Sequence, residues 1–88
     1  MPEKKPGWRG EDLEGEFMLY SEAQTRAVYL NESAALVWRL IDGTRPVDEI
    51  VGLLVEAYGV SPQRMREDVK AALQELLRHD VICWRRDD

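Results

Sequence analysis

An α+β domain with helices in the majority is the fold class this sequence predicts, and three observations predict it. Two β-rich runs, "EFMLY" and "TRAVYL", stand close together in the first third of the chain. Three amphipathic helical stretches follow them, and a short apolar run, "VICWR", lies near the C-terminus. A lone hairpin is marginal in water, so the β-rich runs must lie on the helices. With 88 residues the chain has material for one domain, and folding at this size buries only roughly 60–65% of the unfolded surface.

Residues 1–10 carry two Pro, two Gly and three basic side chains, and they read as a flexible arm with one short strand around Trp8. Residues 11–88 form the single domain. The runs Glu16–Tyr20 and Thr25–Leu30, joined by "SEAQ", read as a hairpin with a loop of about four residues. Asn31 follows without a linker. Its side chain can cap the first amides of a helix, Glu32 suits the positive N-terminus, and Gly43 suits a left-handed exit. Ala34, Val37, Trp38 and Ile41 share one face of that helix. A second helix opens around Pro46, with Val47, Ile50, Val51, Leu54 and Tyr58 as its apolar stripe and Gly59 as its end. The third begins with Ser61 as cap and Pro62 in the first turn, and its pattern persists to His79. The sum is a small winged helix-turn-helix-like arrangement. An N-terminal hairpin or three-stranded sheet packs on three helices, and a short strand ends the domain.

Composition narrows the function. A hydrophobic fraction of 44% beside 33% charged residues is that of a globular protein. The apolar runs "AALVW" and "GLLVEA" are far shorter than the ~20 residues that cross a bilayer. No export signal is visible after "MPEKKPGWRG", so the expected compartment is the cytoplasm and no membrane partner is expected. The net charge of −5 argues against a phosphate backbone as partner. Cys83 is the single cysteine and His79 the single histidine, which leaves a zinc site short of ligands and makes Cys83 an apolar filler. No phosphate-binding glycine loop and no Ser-His-Asp set is present, so neither an enzyme nor a cofactor is expected.

Function then has to reside on a surface. At about 100° per residue, Met65, Val69, Ala72 and Leu76 face the core along the third helix. Leu73 lies further round, and Leu77 further still, beside Arg66 and Lys70. The apolar arc therefore runs past what core packing needs and ends under two cations, while the opposite flank carries Asp68, Ala71 and Glu75. On the Thr25–Leu30 strand (Thr25, Arg26, Ala27, Val28, Tyr29, Leu30), Val28 and Leu30 point to one side and Ala27 and Tyr29 to the other. If that strand is a sheet edge, it is a template for one more strand. A peptide paired with it would press its side chains on Arg66, Val69, Lys70, Leu73 and Leu77, suiting apolar anchors with acidic neighbours. An open edge in so small a chain also invites pairing with a second copy, a homodimer.

The stretches "LNESAALVWRLIDGTRPVDEIVGLL" and "EDVKAALQELLRHDVI" resemble the pyrroloquinoline quinone (PQQ) biosynthesis protein D family, PqqD. Leu30-Asn31 with Ala34, Asp42-Gly43, the Val47/Ile50 pair, and Asp68-Val69 with Leu73 and Leu76 carry the resemblance, and "FMLYSE" is similar to the strand before them. Ile41 stands where the family often has Cys, and Pro46 where Thr or Ser is common. The resemblance implies a recognition element for ribosomally made, post-translationally modified peptides. Such an element binds the leader of a precursor as an added strand between the third strand and the third helix. It then hands the precursor to a modifying enzyme, often a radical S-adenosylmethionine (SAM) protein. Asn31 and Gly43 would be structural. The alternative is a winged-helix DNA-binding regulator using Gln63, Arg64 and Arg66. From Pro62 to His79, however, Arg64, Arg66, Lys70 and Arg78 are set against Glu67, Asp68 and Glu75, four cations to three carboxylates.

Overall fold

The computed structural model describes residues 1–85; residues 86–88, the end of the expected domain, lie outside it. Along the described chain run β1 (Pro2–Lys4), β2 (Arg9–Leu13), β3 (Glu16–Ser21), β4 (Arg26–Leu30), α1 (Glu32–Leu40), α2 (Val47–Tyr58), α3 (Pro62–Arg78) and β5 (Ile82–Trp84). Strands β2, β3 and β4 form an antiparallel sheet in that order, and β1 pairs antiparallel with β5 in a separate ribbon. The expected fold class is the one observed.

Alternation places the β3–β4 hairpin. Phe17 and Leu19 of β3 are buried opposite Leu30 and Val28 of β4, while Tyr20 and Tyr29 are exposed on the other face. A one-residue slip would turn that whole apolar set to water, so the register is fixed by burial. Thr25 was expected in the strand. It lies in the turn instead, with φ of 50°, and its N–H donates to the Glu22 carbonyl at 3.2 Å.

The segment 1–10, expected as a flexible arm, holds β1, paired with β5, and the first two residues of β2, paired with β3. Lys5 N–H donates to the Val81 carbonyl at 3.0 Å, and the Lys4 ammonium sits 3.9 Å from the Trp38 ring centroid. Burial lowers the Lys4 pKa, an effect opposed by nearby Asp42. The next strand, β2, is exposed along its whole length and has no apolar alternation to announce it. Its approach to the core depends on Gly10, because a Cβ there would lie 2.4 Å from Phe17 Cζ.

The helix starts and the end of α2 are punctuated as expected. By contrast, α1 stops at Leu40 with Ile41 as an extended cap, so Gly43, with φ of 81°, lies in the following turn and not at the helix exit. Asn31 Oδ1 accepts from Ala34 N–H at 2.8 Å, and Ser61 Oγ accepts from Arg64 N–H at 3.3 Å. Gly59 ends α2 with φ of 66°, a left-handed conformation that glycine adopts without a Cβ penalty. Asp42 Oδ1 accepts three bonds, from Thr44 N–H, Thr44 Oγ1 and Arg45 N–H, each at 2.9 Å, and so sets the turn between α1 and α2. The core is shared by every layer: Leu19, Ile41, Ile50, Leu76, Val81 and Ile82 are each at most 1% exposed. No helix of the described residues is long and apolar enough to cross a membrane.

Candidate functional site

Among the described residues, β4 pairs with β3 on one side and with nothing on the other. In an antiparallel ladder alternate residues turn their N–H and C=O away from the neighbour, so the outer side of β4 offers a row of free donors and acceptors. Two contacts fix what lies beside it. At the start of the strand, Arg26 Nη2 donates to the His79 carbonyl at 3.1 Å, and its guanidinium lies 5.5 Å from the Trp8 ring centroid. Just past its end, Asn31, Ser33 and Ala34 line a depression of about 300 Å³ with Asp68, Ala71, Ala72 and Glu75. Strand β4 therefore runs beside the Asp68–Glu75 flank of α3.

That is the flank opposite to the one expected. Asp68 and Arg66 are two residues apart, so they project about 160° apart around the helix. Arg66 Nη1 instead donates to Asp48 Oδ1 at 2.6 Å, which ties it to the start of α2. Lys70 is exposed on the same far side, and Leu77 is half-buried there against the core. Val69 and Leu73 are core residues, 1% and 4% exposed, and neither lines the depression beside β4. On β4, Val28 and Leu30 are also core, leaving Arg26, Ala27 and Tyr29 as the exposed members of the expected set. Leu73 and Leu77 pack against the core, and the α3 residues that line the depression are Asp68, Ala71, Ala72 and Glu75.

Each wall residue has a physical role. Ala71 and Ala72 end at Cβ, and the missing side-chain volume is what leaves the depression open. Asp68 is exposed and, among the described residues, pairs with no cation. Glu75 Oε1 accepts from Arg78 Nη2 at 2.6 Å and from His79 Nε2 at 2.9 Å, and these bonds, Arg78 first, hold its carboxyl below the ordinary range. Asp80, next to His79, is lowered chiefly by its bond from Lys5 and then by that ammonium's charge.

A second cleft, of about 220 Å³, opens where α1, the end of α2 and the start of α3 meet. Leu36, Val37, Leu54, Tyr58 and Met65 supply its apolar lining, and Glu32 and Asp68 stand with them. Ser33 and Asp68 border both the cleft and the depression, so the two adjoin. Tyr58 was expected in the core stripe of α2, but it is 53% exposed here. Its place as the last residue of α2, beyond the packed turns, explains the difference.

The model of the family "Coenzyme PQQ synthesis protein D (PqqD)" matches residues 16–82, most of the chain. This chain belongs to the PqqD family. Solved structures agree on the fold. The PqqD part of Methylobacterium extorquens PqqCD, described as a functional, stand-alone recognition element for ribosomally synthesised and post-translationally modified peptides, is 25% identical to this family member. That similarity has a TM-score of 0.77 and covers 94% of this chain and 88% of that one. TbiB1 in complex with the TbiA(β) leader peptide matches at 16% identity and a TM-score of 0.76, over 97% and 99% of the two chains. A lasso peptide synthetase B1 complexed with its leader peptide gives 16% and 0.75, over 94% and 98%. No curated protein sequence matches the chain. Among the described residues no group of three or more His, Cys, Asp or Glu is placed to hold a metal ion.

Proposed function

We propose that this PqqD-family chain is a non-catalytic recognition element for the leader segment of a ribosomally made precursor peptide. The leader adds as a strand to the outer edge of β4, lies along the Asp68–Glu75 flank of α3, and is presented to a modifying enzyme such as a radical SAM protein in the cytoplasm. The observation that carries this reading is the unpaired edge of β4 beside a groove whose far wall is cut back to alanine. The leader-peptide complexes of its structural relatives support it.

Backbone pairing gives affinity that depends little on the leader's side chains, and the α3 wall selects among leaders. Holding the leader keeps the reactive part of the precursor close to the partner enzyme. The encounter becomes nearly intramolecular, at an effective concentration set by the chain between them. A DNA-binding role draws no support from α3, where Arg66 is paired with Asp48 and Arg78 with Glu75.

Amide shift mapping with a synthetic leader of the cognate precursor tests the proposal. The expected result is that Arg26–Leu30 and Asp68–Glu75 respond together, while Lys70 and Leu77 move little. A response confined to Arg66, Lys70 and Leu77, with β4 silent, would sink it.

A further inference from the structure

The groove does not stop where β4 stops. A segment added to the strand and running past Leu30 crosses the depression over Ala71 and Ala72 and then meets the cleft of Leu36, Leu54, Tyr58 and Met65. The step between the two is Ser33 and Asp68, which border both. Carboxylates stand along that path: Glu32 at the start of α1, Asp68 at the crossing, and Glu75 behind it. No Lys or Arg lines the depression or the cleft. Arg66 is on Asp48 and Lys70 is on the far flank. Arg64 and Arg78, which share the Asp68–Glu75 flank by helical angle, stand outside the lining, Arg78 on Glu75. Arg26 is occupied at the opposite end of the strand by the His79 carbonyl.

Resting on the leader-binding reading, we infer that the leader carries a second recognition point beyond the strand-paired part. It is a bulky apolar side chain that enters the α1–α2–α3 cleft, with a Lys or Arg next to it that lies between Glu32 and Asp68. The occupant is thus a cationic-apolar peptide segment, the reverse of the acidic one that the arrangement of charges in the sequence suggests. The cleft supplies apolar surface that a side chain can fill, and Tyr58 can fold over it from its exposed position at the end of α2. The unpaired Asp68 supplies the charge selection, which acts on specificity and encounter rate as well as affinity.

Selection from a displayed library of random dodecapeptides tests this with the full chain as bait. Three exposed-residue variants are run beside it: Asp68→Lys, Tyr58→Ala, and the double edge variant Ala27→Lys with Tyr29→Lys. The wild-type chain is expected to enrich peptides with Lys or Arg within two positions of an aromatic or long aliphatic residue. Asp68→Lys is expected to replace that cation by Asp or Glu and to weaken a wild-type-selected peptide about tenfold. Tyr58→Ala should keep the cation and lose the apolar preference. If peptides bind through the β4 edge but the three baits with an intact edge return one consensus, the second recognition point is wrong and leader binding stands. If the wild-type chain enriches nothing over the edge variant, both fall together.

Discussion

Strands β2 and β4 are the two margins of one three-stranded sheet, yet they are built in opposite ways. β2 reads Arg9-Gly10-Glu11-Asp12-Leu13, with three charges in five residues, every one of them exposed. Arg39 of α1 reaches it, with Nη2 donating to both oxygens of Asp12 at 2.6 and 2.7 Å. Charges and side-chain clips of this kind are how natural sheets keep an edge from recruiting another strand. β4 has one charge, Arg26, and that one is turned aside to the end of α3. The rest is Ala27, Val28, Tyr29 and Leu30. The contrast teaches that a free edge is not in itself a binding site. The charged edge of β2 is clipped by Arg39 of α1, whereas the one charge of β4 is turned aside and the flank of α3 stands beside its edge.

Two substitutions test this difference between the edges. The larger effect is expected at Gly10→Ala, where the new Cβ would stand 2.4 Å from Phe17 Cζ and 3.0 Å from Trp38 Cζ3, both rings of the packed core. Neither ring is the free end of a flexible chain, so β2 must lift from the sheet. Overpacking of this kind costs about 1–3 kcal/mol, which a thermal melt reads as a drop of about 4–8 °C for each kcal/mol. A melt unchanged to within a degree would show that β2 is not held by this approach. The second is the double variant Ala27→Lys with Tyr29→Lys, which gives β4 the charge density of β2. Both side chains are exposed, so the fold should survive, while leader affinity falls about tenfold or more. Retained affinity by calorimetry would place the peptide somewhere other than this edge.

The sequence disclosed the parts of the molecule that depend on local chemistry. Asn31, Ser61-Pro62 and Gly59 mark helix ends because each satisfies or frees a specific backbone group, and alternation marks β3 and β4 because half of each strand is buried. β2 was hidden for the converse reason: its residues are all exposed, so burial writes no pattern into them, and only Gly10 records the close approach. β1 was hidden by its length, since three residues cannot display a period. For the site, the exposed members of β4 were legible, and the choice of α3 flank was not. Helical angles divide α3 into a Leu73–Leu77 side and an Asp68–Glu75 side with equal clarity. Which one adjoins β4 depends on the path of α1, a tertiary fact. A weaker signal was present in Ala34 facing the pair Ala71-Ala72, since small residues on two elements mark where backbones come close.

The smallest expected effect sharpens the contrast at the end of the groove, where Arg26, Glu75, His79 and Asp80 meet. Glu75 is held below its ordinary 4.5 chiefly by the bond from Arg78, and Asp80 below its ordinary 3.8 chiefly by the bond from Lys5. A carboxyl whose folded pKa is depressed contributes stability above its unfolded value, and that contribution is lost as pH falls through the folded value. Both groups are exposed, so solvent screening keeps the contribution small. Melting temperature should therefore be flat near neutrality and decline as pH drops below about 4.5, as these carboxyls bind protons that the folded state resists. The double variant Glu75→Gln with Asp80→Asn should melt slightly lower at pH 7 and decline less steeply in acid. In an amide-resolved titration the His79–Val81 corner should shift within that window, because the bonds from Lys5 and Arg78 weaken there. If the double variant declines as steeply as the wild type, the acid sensitivity belongs to other carboxylates, and this corner does not hold the end of the groove through its charges.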